Sequence, residues 1–167
     1  SIKQMIDGSL NHFWKISYGQ IYPSLKKLVD QGYAEVKVAH QNGKPDKKEY
    51  FITPSGEAAL KSWLDQPTQD LPTEKNDLLL KLFFSRHQEE STTIAQIETY
   101  DHKLIQRYNT YQGIKDMILK ESCDHQDAPF WIITLDYGLS TTGAAIDWCV
   151  KTIVSFVFTH QIGRAHV

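Results

Sequence analysis

The segment 17–33 constrains the fold most, because it carries both the start signal and the stop signal of one short helix. Ser17 and Gln20 have the spacing of a capping box, in which each side chain satisfies a backbone N–H of the other residue. Gly32 is the residue type that most often ends a helix. The segment therefore predicts a helix from Ser17 to Gln31.

The predicted helix has one apolar side and one polar side. Its apolar residues recur at helical spacing and are Ile21, Leu25, Leu28 and Val29. The opposite side carries Gln20, Pro23, Lys26 and Lys27. Pro23 removes a backbone hydrogen bond inside the helix, and Gly19, one turn earlier, leaves room for the proline ring. Taken alone, the pattern also fits an ordinary surface helix with a tolerated proline.

The residues after this helix predict a two-stranded hairpin. Residues 34–39 and 49–52 alternate between apolar and polar side chains, as half-buried strands do. The loop between them, residues 40–48, contains turn-forming residues and the lysines Lys44, Lys47 and Lys48. A helix, a tight glycine turn and a lysine-tipped hairpin follow one another in this order in a winged helix-turn-helix module. In such modules the second helix enters the DNA major groove and the hairpin touches the adjacent backbone.

The distribution of charge favours a polyanionic partner for the first part of the chain. Residues 14–48 contain seven lysines and three acidic side chains. Residues 1–66 contain nine basic and seven acidic side chains, whereas residues 67–167 contain nine basic and thirteen acidic ones. We therefore expect any DNA contact to be confined to the N-terminal part. A solvated lysine face is the alternative, since most charge runs are no more than that.

Two motifs resemble the PadR family of bacterial transcriptional regulators. The first is Ser17-x-Gly19-x-Ile21-Tyr22-Pro23-x-Leu25-x-x-Leu28-x-x-x-Gly32-Tyr33. The second follows one hairpin later and is Lys48-x-Tyr50-x-Ile52-Thr53-Pro54-x-Gly56. The resemblance implies a dimer whose winged-helix domain binds a pseudo-palindromic operator and is often released by a small aromatic or phenolic compound. We expect a repressor, although the resemblance also covers activators.

The resemblance also implies which residues contact DNA. In the recognition helix they are Ser17, Tyr18, Gln20, Tyr22 and Lys26. In the wing they are Lys44, Lys47 and Lys48, and we add Lys27 from the polar side of the helix. Gln20 has two interpretations, a bidentate contact to a base or a helix cap alone. The alternative function is a winged-helix module that binds other proteins and no DNA.

Helical patterns on both sides of a linker predict two domains. Residues 2–14 predict a helix that positions the reading helix. Thr53 and Pro54 begin another helix, whose expected buried side is Ala58, Ala59, Leu60, Trp63 and Leu64. The fold class is mostly α-helical with a small β-hairpin wing. We expect a winged-helix domain over residues 1–66, a linker over 67–75 and an α-helical dimerisation domain over 76–160.

The C-terminal half predicts long helices with more apolar surface than one chain can cover. Residues 78–84 are apolar nearly all round, which predicts burial. Residues 91–122 predict one long helix with a coiled-coil-like seam, because apolar side chains recur at strict seven-residue spacing at Ile97, Leu104, Tyr111 and Ile118. A last helix from Ala128 to about His160 is so apolar that a second protomer is its expected cover. A monomeric bundle is the alternative.

Aromatic side chains in the last helix are candidates for an effector pocket. Aromatic groups near a dimer axis can wall a flat apolar cavity, and the resemblance implies an aromatic or phenolic ligand. The candidate effector-binding residues are Trp131 and Trp148. Core packing is the alternative for each of them.

The two ends of the chain depart from the family pattern. PadR-like chains usually have a further helix ahead of the segment that starts here at Ser1, so we expect the winged-helix domain to lack its first helix. Residues 161–167 follow no helical pattern, and we interpret them as a non-native tail.

Other functional classes have little support in the residues. Cys123 and Cys149 form neither a disulfide framework nor a Cys-x-x-Cys pair, so we expect no metal and no cofactor. No nucleophile elbow, glycine-rich phosphate loop or His-Glu-x-x-His motif is present, which argues against an enzyme. The chain has no run of about eighteen apolar residues and no signal peptide, so we expect a cytoplasmic protein without membrane contact.

Overall fold

The computed structural model describes residues 18–40, 47–71 and 75–164, without the side chains of Tyr18 and of residues 158–164. The helices are α1 (Tyr18–Asp30), α2 (Pro54–Leu64), α3 (Asp77–Phe83), α4 (Glu90–Glu121) and α5 (Ala128–Arg164). The strands are β1 (Ala34–Ala39) and β2 (Lys47–Ile52), and a short 3₁₀ turn spans Ser85–His87. The chain forms two compact units, Ser1–Thr73 and Glu74–Val167.

Helix α1 confirms the predicted helix, with Pro23 inside it. Its end is a left-handed glycine turn, in which Gly32 has a φ of 74°. The N–H of Gly32 donates to the carbonyl of Val29 at 2.9 Å, and the N–H of Tyr33 donates to the carbonyl of Leu28 at 2.9 Å. These are the two bonds of a Schellman motif, so the prediction that Gly32 stops the helix is confirmed. The predicted cap, Ser17, lies outside the described residues, as do the predicted helix over 2–14 and the loop residues 41–46.

The hairpin is antiparallel, with Ala34 opposite Ile52 and Ala39 opposite Lys47. The predicted hairpin is therefore confirmed, but the prediction of half-buried strands is wrong for most positions. Only Ala34 on β1 and Glu49 and Tyr50 on β2 are partly buried, and the other positions are exposed. Lys47 and the residue after it belong to β2 rather than to the loop.

A single threonine joins α1, β1 and α2. The Thr53 hydroxyl donates to the carbonyl of Gly32 at 2.6 Å and accepts from the N–H of Gly56 at 3.1 Å. The N–H of Thr53 donates to the carbonyl of Tyr33 at 3.1 Å. Thr53 is thus the N-cap of α2, and Pro54 is its first helical residue, as predicted. Gly56 is buried, and a Cβ atom there would overlap the carbonyl oxygen of Tyr33.

The buried side predicted for α2 is wrong. Leu60 and Leu64 are exposed, Trp63 is 66% exposed, and Ala58 is exposed as well. Ala59 alone of the predicted set is partly buried. The reason is that α2 contacts the Gly32–Tyr33 turn only through its first turn, where Gly56 lies. The later turns of α2 are exposed among the described residues.

In the second unit, α4 and α5 pack as an antiparallel pair of helices. Ile97, Leu104 and Tyr111 are buried and Ile118 is partly buried, which confirms the predicted seam. The partner seam on α5 also has seven-residue spacing, and its buried members are Ala128, Leu135, Thr142 and Cys149. The helix continues past the predicted end at His160 to Arg164.

Two contacts fix the alignment of α4 against α5. Lys115 Nζ lies 2.6 Å from Asp136 Oδ1. The ring of Tyr111 packs against Gly138, where an added Cβ would lie 2.8 Å from Tyr111 Cε2. Gly138 is therefore the place where the tyrosine ring can approach the backbone of the neighbouring helix.

The burial predicted for residues 78–84 is also wrong. Only Leu78 is buried, whereas Leu79, Leu80 and Phe84 are exposed and Phe83 is 82% exposed. Asn76 caps α3 by accepting from the N–H of Leu78 at 3.0 Å, and its amide donates to Tyr100 Oη at 3.0 Å. A helix of only seven residues can turn one side toward α4, so the remaining apolar side chains stay outside. None of the helices in the described ranges combines the length and apolarity needed to span a bilayer.

We expect Thr53→Val to destabilise the first unit by about 1–2 kcal/mol, because it removes the cap and leaves the Gly32 carbonyl without its donor. Thr53→Ser is the matched control, since it keeps the hydroxyl, and it should lose less than half of that. Urea unfolding followed by circular dichroism measures both. Equal losses for valine and serine would contradict the role assigned to the hydroxyl.

We expect Gly138→Ala to destabilise the second unit by about 1–2 kcal/mol, because the new methyl group displaces the buried Tyr111 ring. Gly113→Ala is the matched control on α4, where nothing lies within 4 Å of an added Cβ. It should stabilise by about 0.5–1 kcal/mol through helix propensity. Thermal unfolding separates the two, and a shift of the same sign for both would rule out the proposed close packing.

Candidate nucleic-acid interface

Helix α1 presents the predicted DNA-contacting side chains to solvent. Gln20, Lys26 and Lys27 are exposed, and Tyr22 is 73% exposed. On the opposite side Ile21, Leu25 and Val29 are partly buried, whereas Leu28, predicted to be buried, is exposed. The amphipathic pattern therefore correctly separates the polar side from the core side at all but one position.

Ser24, on the exposed side of α1, is a further candidate that the two sequence motifs do not mark. Ser24 is exposed and lies one turn after Gln20 and about one turn before Lys27, so the three share a face. The helical spacing from Gln20 was the signal that could have identified it. A serine hydroxyl can bond to either bases or phosphates.

The lysines of α1 differ in their partners. Lys26 Nζ lies 2.6 Å from Asp30 Oδ2, one turn later on the helix. Both side chains are mostly exposed, so this is a weak surface pair. Within the described residues Lys27 has no carboxylate partner. It therefore presents an uncompensated positive charge beside Gln20 and Ser24.

The antiparallel register places Lys47 and Lys48 on opposite faces of the hairpin, because neighbouring residues of a strand alternate in direction. Lys47 shares its face with Glu49, Phe51 and, across the ladder, Lys37. Lys48 lies on the other face, with the apolar residues Val36, Val38, Tyr50 and Ile52. The two lysines therefore cannot act as one cluster.

Lys47 is held by a carboxylate on its own strand. Its Nζ lies 2.7 Å from Glu49 Oε1. The hydrogen bond and the charge of Lys47 lower the pKa of Glu49 below its usual value. Lys48 has no ion pair with any residue in the part of the chain that the structure describes.

Lys37 is a further cation on the hairpin, in addition to the three lysines predicted to contact DNA. Its Nζ lies 5.0 Å from the centre of the Phe51 ring, in a cation–π contact. The signal was available, since Lys37 lies on a predicted strand opposite the segment that carries Phe51. Of the other predicted site residues, Ser17 and Lys44 lie outside the described residues, and the Tyr18 side chain is not described.

The two tryptophans predicted to bind an effector are not brought together within one chain. They lie on α5, separated by about 25 Å along its axis at ~1.5 Å per residue. Trp131 stacks on His125 with ring centres 4.7 Å apart, and Trp148 packs against the cluster of Ile97, Leu104 and Cys149. Their role in binding an effector stays a prediction.

The second unit carries a shallow groove that contains neither tryptophan. It is lined by Leu80, Lys81, Phe84, His87 and Gln88.

Among the described residues no three His, Cys, Asp or Glu side chains are grouped as metal ligands. Both cysteines are free, Cys123 exposed and Cys149 buried, and burial raises the pKa of the Cys149 thiol.

An exposed polar helix joined through one threonine to a lysine-bearing hairpin is the arrangement found in winged-helix domains. Comparisons with known proteins find a similar family for each of the two units. The transcriptional regulator PadR-like family matches residues 1–62, and the virulence activator alpha C-terminal family matches residues 74–154. Residues 1–62 thus match the PadR-like family, in which the two sequence motifs lie, and the Bacillus subtilis regulator PadR is among the similar proteins.

Individual relatives agree with this assignment. The negative transcriptional regulator PadR of Bacillus subtilis (strain 168) is 33% identical over 109 residues, which cover 63% of this chain and 60% of that protein. The crystal structure of Bacillus subtilis PadR in complex with operator DNA aligns with a TM-score of 0.81 at 23% identity and covers 92% of this chain and 87% of that one. The structure of the same protein in complex with p-coumaric acid aligns with a TM-score of 0.74 at 23% identity and covers 93% and 87%. The predicted fold class, mostly helical with a hairpin wing, is confirmed.

Proposed function

We propose that this chain is a DNA-binding transcriptional repressor that reads the major groove with α1 and contacts the adjacent backbone with the β1–β2 hairpin. The observation that carries the proposal is the exposed polar side of α1, held through Thr53 to a hairpin that bears Lys37, Lys47 and Lys48. The Bacillus subtilis relative is named a negative regulator, and its structure was solved with operator DNA, which supports the same activity here. A bacterial regulator of this kind works in the cytoplasm, where its DNA is.

The repressor acts as a homodimer through the helical domain over residues 76–160. Apolar side chains on the outer side of α5 support this, since Phe130 and Ile133 are exposed and Tyr137 is 72% exposed. Phe83 and Phe84 add further uncovered apolar surface on and directly after α3. Apolar surface of this extent is typical of a protein–protein interface. The winged-helix domain over residues 1–66 then appears twice, which suits a pseudo-palindromic operator.

The effector is a small aromatic or phenolic compound that releases the repressor from DNA. The relative whose structure contains p-coumaric acid supports this chemical class. Because Trp131 and Trp148 lie far apart on α5, one small ligand contacts both only if they come from different protomers. The affinity of wild type, Trp131→Phe and Trp148→Phe for operator DNA, measured at increasing concentrations of p-coumaric acid, tests each tryptophan separately. If both variants still release DNA as the wild type does, neither tryptophan belongs to the effector site.

We expect Lys48→Gln to reduce the slope of log affinity against log salt by about 0.9, the value of one lost phosphate contact. Lys120→Gln is the matched control, since it removes an exposed lysine from the second unit and should leave the slope unchanged. Fluorescence anisotropy with a labelled duplex at several salt concentrations measures both. If wild-type binding shows no salt dependence, the chain is better explained as a module that binds only proteins.

We expect Gln20→Ala to relax the preference for one base pair of the operator by about 1–3 kcal/mol, because a bidentate amide contact to adenine is lost. The measurement is a competition series in which each operator position is changed in turn. Uniform weakening over all sequences would instead assign Gln20 to the helix start alone.

A further inference from the structure

Glu49 is placed between the two cations of one hairpin face. In the antiparallel register it lies directly opposite Lys37, and its own carboxylate oxygen lies 2.7 Å from Lys47 Nζ. The Lys47 and Glu49 side chains are 61% and 41% exposed, so the pair is open to solvent and to any ligand that reaches this face. Lys37 is directed over Phe51 instead, so Lys47 is the partner of the carboxylate.

An exposed pair of this kind is weak, so a DNA phosphate can compete with the carboxylate for Lys47 but displaces it only in part. The displaced Glu49 remains on the same face, because it is two residues away on the same strand. Its negative charge then lies close to the phosphate that has taken its place. Lys47 consequently contributes less to DNA binding than Lys48, which has no carboxylate partner among the described residues.

We propose that Glu49 limits the affinity of the hairpin for DNA by competing with phosphate for Lys47. This inference rests on the proposed function. Glu49 lowers the part of the DNA affinity that does not depend on base sequence, because phosphate contacts carry no base information. Because such contacts form on every sequence, Glu49 lowers the affinity for operator and for other DNA alike, and the ratio between them depends on the base contacts.

Glu35 provides a matched control on the same face. It lies on β1, opposite Phe51 and one position further from the hairpin tip on that face than Lys37. It is exposed and has no ion pair with any other described residue. Glu35→Gln therefore removes the same formal charge as Glu49→Gln without releasing Lys47.

The experiment measures the affinity of the full chain for a duplex of scrambled sequence over a range of salt concentrations. The proteins are wild type, Glu49→Gln, Glu35→Gln, Lys47→Gln and the Lys47→Gln, Glu49→Gln double variant. We expect Glu49→Gln to bind about threefold to tenfold more tightly and with a slope steeper by about 0.9, the value of one additional phosphate contact. Glu35→Gln should gain less than about twofold, as a screened charge without a partner does. Lys47→Gln alone should have nearly the same salt slope as the wild type. In the double variant, Lys47→Gln should cancel the increase in affinity that Glu49→Gln produces.

Each of three results would overturn the role of Glu49. The first is an equal gain for Glu49→Gln and Glu35→Gln, since only net charge would then matter. The second is a slope reduced by about 0.9 in Lys47→Gln alone, which would mean that Lys47 already contacts phosphate fully. The third is an affinity of Glu49→Gln equal to that of a wild type that binds DNA, which rejects this inference but not the proposed function. If neither the wild type nor Glu49→Gln binds any duplex, both the proposed function and this inference are wrong.

Discussion

The hydroxyl of Thr53 is the interaction on which the arrangement of the first unit depends. It donates to the carbonyl of Gly32 in the turn after α1 and caps α2, while the backbone N–H of the same residue donates to the carbonyl of Tyr33. One residue thereby fixes the direction in which the chain leaves α1 and enters the hairpin. The polar side of α1 and the lysines of the hairpin can act on one DNA duplex only if this relation is constant. Gly56 belongs to the same arrangement, because any side chain there would displace the Tyr33 carbonyl.

Local signals in the sequence predicted most of the fold correctly. Gly32, Thr53 and Pro54 act through backbone geometry and hydrogen bonds to close neighbours, so their effect can be read without knowing the tertiary structure. The buried seam of α4 is equally predictable from the sequence, because large apolar residues occupy it. The matching seam of α5 was not recognised, since Ala128, Thr142 and Cys149 are small or polar and do not stand out in an apolar helix. Burial of this kind depends on what faces each residue.

The errors have a common physical cause. Apolar residues on α2 and α3 were expected inside, yet Trp63 and Phe83 are exposed. Periodicity shows which side of a helix is apolar, but it does not show whether the same chain covers that side. At the candidate site, the sequence identified the residue types correctly but could not give their pairing. The contacts of Lys47 with Glu49 and of Lys37 with Phe51 depend on which face each strand position occupies, and only the register supplies that.

The alternation of faces along β2 restricts how the hairpin can change during evolution. A slip of one residue between the strands would turn every β2 side chain to the other face. Lys48 would then share a face with Lys37, while Lys47, Glu49 and Phe51 would move together to the side of Val36. The charges of β2 would thus change faces relative to β1 although no residue had been substituted. Insertions or deletions between the strands should therefore be tolerated only where the original pairing of the strands is kept.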